Sequence, residues 1–248
     1  MTSHATPESN PDVPSLAGRR IVVTGANRGL GAALARAFVA AGARVLVHAR
    51  GPASAAEAMT ASGAHGWVAG DLRDETLAPR LAAAARHLLA PGVDVLVLNA
   101  GIIGTMGKLE HIDFDELRTV MEVNVDAQLR QFVACLPQLL AAGGKVLWLG
   151  SGVGRFGVPG YGAYTLSKHA VEGLNRQAHA DYGEQGLVSV SVAPGMVQTD
   201  MLRAAQGSDD VSAFTPPEVA AASFVRLVHA LSERGAELAG QSLDVTDF

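Results

Sequence analysis

A single cysteine, Cys135, in 248 residues leaves no internal disulfide to form. This excludes a disulfide-stapled secreted scaffold and suits a reducing compartment. Cys135 lies in an apolar stretch just before Pro137, where core packing is its expected role. None of the eight histidines is spaced with Cys, Asp or Glu as a metal site requires, and His169, beside Lys168, faces elsewhere on a helix. No structural or catalytic metal is expected. Basic clusters are also missing, and the formal net charge of −5 gives no attraction to nucleic acid or an anionic membrane. Small molecules are the expected partners. No run approaches the ~20 consecutive apolar residues of a membrane span. Residues 1–18 have three prolines and little apolar content, without the basic start and hydrophobic run of a signal peptide. They read as a flexible tail before a single domain at 19–248, and the protein is expected to be soluble and cytoplasmic.

What is present is 48% apolar content, enough for one large core. From Arg20 onward, short β-branched runs alternate with longer alanine- and leucine-rich segments. Strands are expected at 21–23, 44–47, 66–68, 93–98, 145–149, 188–192 and 242–245, and helices at 30–41, 53–61, 75–89, 114–141, 161–182 and 217–233. Asp113 suits the N-cap of the fourth helix and Pro217 the first turn of the last. The strand runs are continuously apolar, as burial on both faces requires. The alternation predicts an α/β fold: a Rossmann-like, doubly wound sheet of about seven parallel strands with helices on both faces.

The first strand runs into Thr24-Gly25-Ala26-Asn27-Arg28-Gly29-Leu30-Gly31 and then a helix. Glycines there allow a tight turn and close approach of a ligand, and free amides at the helix start meet a pyrophosphate. A glycine-rich turn serving only helix–strand packing is the alternative, and the strand–turn–helix context favours the nucleotide. The second strand ends His48-Ala49-Arg50. An acidic side chain usually holds free ribose hydroxyls at this strand end, whereas a 2′-phosphate favours arginine. Arg50 and Arg28 together therefore favour NADP(H) over NAD(H), unless both are merely solvated.

Downstream, Ser151 precedes Tyr164, and Lys168 follows four residues later. On a helix the phenol and the ammonium share a face. A free phenol titrates near ~10. A cation roughly 4 Å away at an effective dielectric of ~20 is worth about 4 kcal/mol, enough to bring the phenol to ~7, where general acid–base catalysis works best. Taken alone, the pair also fits an ordinary helix surface. Tyr161 is a decoy, because the residue four positions on is Thr165, which carries no charge.

Together these segments resemble the classical short-chain dehydrogenase/reductase family over nearly the whole chain after the tail. Thr24 to Gly31 is similar to that family's cofactor loop. The resemblance makes Asp71-Leu72 an adenine contact, Asn99-Ala100-Gly101 the turn closing the fourth strand behind the cofactor, and Pro194-Gly195-Met196-Val197-Gln198-Thr199 the segment at the nicotinamide carboxamide. Asn124, Ser151, Tyr164 and Lys168 match the catalytic positions in order and spacing. The resemblance implies that Tyr164 donates a proton to a carbonyl oxygen as NADPH delivers hydride to the carbon. Lys168 lowers the phenol's pKa and binds the nicotinamide ribose, Ser151 holds the carbonyl oxygen, and Asn124, by backbone or side chain, anchors water that re-protonates the site. Two departures stand out. Leu98 replaces the first of the usual paired asparagines, and the C-terminus stops short of the common Asp-Gly-Gly.

An NADPH-dependent carbonyl reductase, or alcohol dehydrogenase in reverse, is therefore expected. A non-redox cofactor-sensing regulator, or an epimerase or dehydratase using the same residues, is the alternative. Val153, Gly154, Arg155, Phe156, Val158, Tyr161 and a substrate-binding loop at about 196–216 are mostly apolar, which suggests a hydrophobic carbonyl compound. Arg155 either meets a substrate carboxylate or points into water, the second being favoured. The loop after Asp200 reads as a mobile lid. The apolar helices at 114–141 and 161–182 suggest a homo-oligomer, dimer or tetramer.

Overall fold

The computed structural model describes residues 14–248. The expected tail lies outside the described residues up to residue 13. Leu16 is buried, with its amide 2.7 Å from the Ala41 carbonyl.

Among the described residues, seven strands form one sheet: β1 (Arg20–Val23), β2 (Arg44–Ala49), β3 (Gly66–Ala69), β4 (Val95–Leu98), β5 (Lys145–Leu149), β6 (Val188–Ala193) and β7 (Ser242–Asp244). All pairings are parallel, in the order β3-β2-β1-β4-β5-β6-β7. The chain starts at the centre, winds outward through β2 and β3, and returns to place β4 on the other side of β1. That reversal opens a crevice at the carboxyl ends of β1 and β4, the place where a ligand binds in an open α/β sheet.

The intervening helices are α1 (Gly29–Ala40), α2 (Pro52–Ser62), α3 (Leu77–Leu88), α4 (Phe114–Met121), α5 (Ala127–Ala142), α6 (Gly162–Tyr182), α7 (Asp200–Gln206), α8 (Pro217–Glu233) and α9 (Gly235–Leu238). Successive strand residues point to opposite faces, so the continuous apolar runs feed two cores. Ile21, Val23, Val97 and Leu147 pack under α1 and α8. Val22, Leu96, Val146 and Trp148 pack under α3, α5 and α6. Trp148 is fully buried, and its indole N–H is satisfied by Ser189 Oγ at 3.0 Å. Cys135 belongs to the second core, where burial pushes its thiol up to about 12 and leaves it inert.

Two local differences from the sequence expectation bear on the site. The helix expected at 114–141 is interrupted by a π-turn, Glu122–Asp126, in which the Ala127 amide reaches back to the Glu122 carbonyl. Asp113 does cap α4, accepting from the amides of Asp115 and Glu116. The loop expected around 196–216 contains α7, capped by Thr199 Oγ1 accepting from the Leu202 amide. Its base is closed by backbone hydrogen bonds between Met196, Gln198 and Thr215.

Candidate active site

One cleft of about 970 Å³ runs across the carboxyl ends of the central strands. Its walls bring together every expected cofactor residue and three of the four expected catalytic ones, Ser151, Tyr164 and Lys168. Asn124 lies behind the wall.

At the phosphate end, Gly25 and Gly29 take left-handed conformations with φ of 66° and 53°. A Cβ on Gly31 would stand 2.2 Å from the Gly25 carbonyl oxygen and 2.5 Å from Asn99 Nδ2, so only glycine fits. Asn99 Nδ2 donates to the Thr24 carbonyl at 2.8 Å, and the Ala100 amide donates to Thr24 Oγ1 at 3.1 Å. The turn after β4 thus braces the loop after β1. No side chain caps the start of α1, which leaves its first amides free for an anion. These features fit the pyrophosphate of a dinucleotide.

His48 is a site residue that sequence reasoning passed over. It is buried at the end of β2, with Nδ1 accepting from the Gly25 amide at 3.4 Å and Nε2 meeting the Gly70 carbonyl at 3.0 Å. Burial lowers its pKa and keeps the ring neutral, which both contacts need. A lone histidine inside an apolar strand run was the available signal.

At the far end of the cleft, Arg50 is exposed and makes no salt bridge among the described residues. Arg28 is not free beside it. Its Nη1 lies 3.0 Å from Asp200 Oδ2, so this guanidinium ties the phosphate loop to α7. Arg73, not anticipated, clamps Asp71 through Nε at 3.1 Å and Nη2 at 3.0 Å. These hydrogen bonds, with a smaller contribution from the charge on Arg50, hold the Asp71 carboxyl down to about 2.

At the centre, Ser151 follows β5 in extended conformation, and Tyr164 and Lys168 stand one turn apart on the inner face of α6. Lys168 Nζ is 5.4 Å from the Tyr164 ring centroid, a cation–π arrangement, and donates to the Leu149 carbonyl at 2.6 Å. The phenol hydroxyl meets Met201 Sδ at 3.9 Å, and Ser151 stands on its other side.

The electrostatics differ from the sequence expectation of a phenol near ~7. Burial pushes Tyr164 up to about 12, outweighing the lowering influence of the nearby Ser151 hydroxyl. Burial likewise pulls Lys168 down to about 8, against the opposing pull of Glu172. The reason is geometric: the ammonium is spent on a carbonyl and sits over the ring face rather than at the phenol oxygen. The phenol is held protonated, as a proton donor requires, and the lysine is the group that titrates near neutrality.

Asn124 is fully buried in the π-turn. Its Oδ1 accepts from the Ile102 amide at 2.8 Å, and its Nδ2 donates to the Ile102 carbonyl at 2.8 Å and to Ser167 Oγ at 3.0 Å. The Ser167 hydroxyl in turn donates to the Tyr164 carbonyl at 2.8 Å. The side chain is therefore a brace for α6, and water anchoring would fall to the backbone. Arg155 neither faces a substrate carboxylate nor points into water. It fastens β7, through Nε to Ser242 Oγ at 2.7 Å, Nη1 to Asp244 Oδ2 at 2.6 Å and Nη2 to the Leu243 carbonyl at 2.8 Å. The open end of the cleft beyond Tyr164 is walled by Ile102, Val153, Phe156, Val158, Met196 and Met201.

Among the described residues, no cluster of His, Cys, Asp or Glu could hold a metal, and no helix is long and apolar enough to cross a membrane.

A family model described as short chain dehydrogenase matches residues 19–209. The chain is 32% identical over 200 residues to gluconate 5-dehydrogenase of Gluconobacter oxydans, covering 78% of this chain and 77% of that one. It is 33% identical over 207 residues to the glycine betaine reductase of Emericella nidulans, covering 82% of this chain but only 16% of that longer protein. Among solved structures, a Shigella flexneri protein described as a short chain dehydrogenase complexed with NADP superposes with a TM-score of 0.82 at 26% identity, covering 95% of this chain and 99% of that one.

Proposed function

The chain belongs to the short-chain dehydrogenase family of oxidoreductases, and from that membership we propose that it is an NADPH-dependent carbonyl reductase, or alcohol dehydrogenase in reverse, acting on a hydrophobic ketone or secondary alcohol. The observation that carries this reading is the convergence of the Ser151 hydroxyl, the protonated Tyr164 phenol and the Lys168 amine on one wall of a cleft whose other end is a phosphate cradle. Gly25, Asn27, Arg28, Gly29, Leu30 and Gly31 would hold the pyrophosphate, Asp71 and Leu72 the adenine, and Asn99 to Gly101 with Pro194, Gly195, Val197 and Thr199 the nicotinamide half. When bound, the nicotinamide supplies the hydride that a carbonyl carbon accepts.

This chain's own groups manage the proton and the developing charge. Ser151 and Tyr164 fix the carbonyl oxygen from two sides, where preorganised donors act on charge that appears only in the transition state. Tyr164 gives its proton to that oxygen, and Lys168 in its ammonium form stabilises the phenolate left behind. Asn124 keeps α6 in register through Ser167, so the phenol and the amine stay aligned with Ser151. The apolar wall formed by Ile102, Phe156 and Met201 selects an apolar substituent.

The NADP(H) preference rests on Arg50, exposed at the end of β2 and in no salt bridge among the described residues, whereas Arg28 is held by Asp200. The Shigella flexneri neighbour's NADP supports the same choice. Arg50→Ala is expected to raise the KM for NADPH by about 10- to 100-fold, the loss of a charge-assisted contact of about 1.5–3 kcal/mol, and to leave the KM for NADH unchanged. Equal effects on both cofactors would remove Arg50 from phosphate recognition. The reaction itself is tested by following nicotinamide absorbance over a panel of apolar ketones with each cofactor. Absence of carbonyl-dependent NADPH loss across the panel would favour a non-redox role such as cofactor sensing or epimerisation.

The single buried cysteine suits a cytoplasmic setting. Exposed Phe114, Leu129, Val133 and Leu166 along α4 to α6 support a homo-oligomer, dimer or tetramer, joined across those helices. A monomeric mass in solution would overturn that assembly.

A further inference from the structure

Behind the reacting groups lies a buried acid that the proton transfer above does not use. Glu172 follows Lys168 by four residues on the inner face of α6, so both side chains leave the same side of the helix. Lys168 Nζ meets the Leu149 carbonyl at 2.6 Å, and a Cβ on the next residue, Gly150, would stand 3.0 Å from Glu172 Oε1. The amine and the carboxyl therefore flank consecutive residues at the end of β5, and Gly150 is the opening that lets the acid approach.

Glu172 is almost completely buried. Its Oε1 accepts from Ser191 Oγ at 2.5 Å and from Ser242 Oγ at 3.0 Å. Ser242 also accepts from Arg155 Nε at 2.7 Å, which orients its proton toward the acid. Glu172 Oε2 is buried with no hydrogen-bond partner. Most buried acceptors have a hydrogen-bond partner, so a lone buried carboxyl oxygen asks for an explanation. Here the serines saturate one oxygen, and the nearby buried cation is Lys168.

Resting on the assignment of Lys168 to proton transfer, we propose that Glu172 is a positioning residue, a buried carboxylate that keeps the Lys168 amine in its ammonium form at neutral pH, with Ser191, Ser242 and Arg155 holding that carboxylate in place. The groups facing Lys168 support this. On α6 they are Tyr164 and Glu172. The end of β5 offers the Leu149 carbonyl and the Ser151 hydroxyl, Ser191 of β6 and Ser242 of β7 are bound to Glu172 itself, and the π-turn offers Asn124. Arg155 and Asp244 are already joined to each other at the end of β7. Among the described residues, Glu172 is thus the acidic side chain placed to favour the charged lysine, and its attraction opposes the burial that lowers Lys168 to about 8.

The sign follows directly. Removing the negative charge lets Lys168 lose its proton at lower pH, so the alkaline limb of ketone reduction moves toward acid. Glu172→Gln keeps the shape and the acceptor for both serines. It is expected to shift the Lys168 pKa down by about one unit, with turnover near wild type at pH 6 and reduced several-fold at pH 8. Glu172→Asp, which retains the charge, should recover part of that loss.

The chain has only three lysines, Lys108, Lys145 and Lys168, so a carbon-13 label at the lysine ε-carbon gives three resonances whose titration can be followed by NMR without turnover. A Lys168 titration that does not move in Glu172→Gln, in a variant melting close to wild type, overturns the proposal. If the titration moves but neither protein reduces any ketone, Glu172 keeps its role and the carbonyl reductase reading is what fails.

Discussion

Tyr164→Phe is expected to reduce ketone turnover by about 10³-fold, in the middle of the range for losing a general acid and equivalent to about 4 kcal/mol of barrier. The variant removes one oxygen from a buried ring whose hydroxyl has Met201 Sδ as its hydrogen-bond partner among the described residues. Packing of the ring and the cation–π contact with Lys168 persist, so the fold and the affinity for NADPH should stay near wild type. The protonated state makes the test sharp. Held up at about 12, the phenol carries its proton throughout the neutral range, and no other group in the cleft combines that property with a position beside Ser151. Tyr161 also lines the cleft, but no cation follows it one turn later. Turnover and NADPH fluorescence titration on the same preparation separate chemistry from binding. A variant retaining a tenth or more of wild-type turnover would falsify the assignment of Tyr164 as the donor.

Much of this arrangement was legible in the sequence because its causes are local. Burial on both faces demands continuous apolar runs, and all seven strands stand within two residues of where such runs predicted them. The glycine loop and the Tyr164–Lys168 spacing are each short-range patterns, and the parallel order that sets β1 beside β4 and β5 brings them into one cleft. What was not legible depends on partners far away in the chain. Arg28 finds Asp200, Arg155 finds β7, and Glu172 finds Ser191 and Ser242. Helix α7 has seven residues, too few for an apolar stripe to declare itself. The π-turn carries Asn124, whose side chain bonds Ile102, a contact between distant residues that no periodicity encodes. The tuning of Tyr164 was misjudged for a related reason. Coulomb attraction can be estimated from spacing, whereas desolvation depends on what the rest of the fold stacks over the ring.

Gly31→Ala is expected to abolish dinucleotide binding, raising the dissociation constants for NADPH and NADH by more than about 100-fold each. Such a loss corresponds to roughly 2.7 kcal/mol or more. The added methyl would stand 2.2 Å from the Gly25 carbonyl oxygen and 2.5 Å from Asn99 Nδ2. Neither can yield cheaply. Gly25 is itself packed so that a Cβ there would lie 2.9 Å from the Ala100 backbone, and Asn99 is fixed by its bond to the Thr24 carbonyl. Relief must come from moving the start of α1, which displaces the uncapped amides that meet the pyrophosphate. The same displacement costs stability, about 1–3 kcal/mol for overpacking a tight site, so melting is measured with the titration to establish that the folded fraction is what fails to bind. Both cofactors should suffer alike, because the pyrophosphate is common to them, in contrast to the NADPH-selective loss from Arg50→Ala. A Gly31→Ala protein that is folded and binds either dinucleotide at wild-type affinity would show that the loop after β1 is a packing turn and that the phosphate lies elsewhere in the cleft.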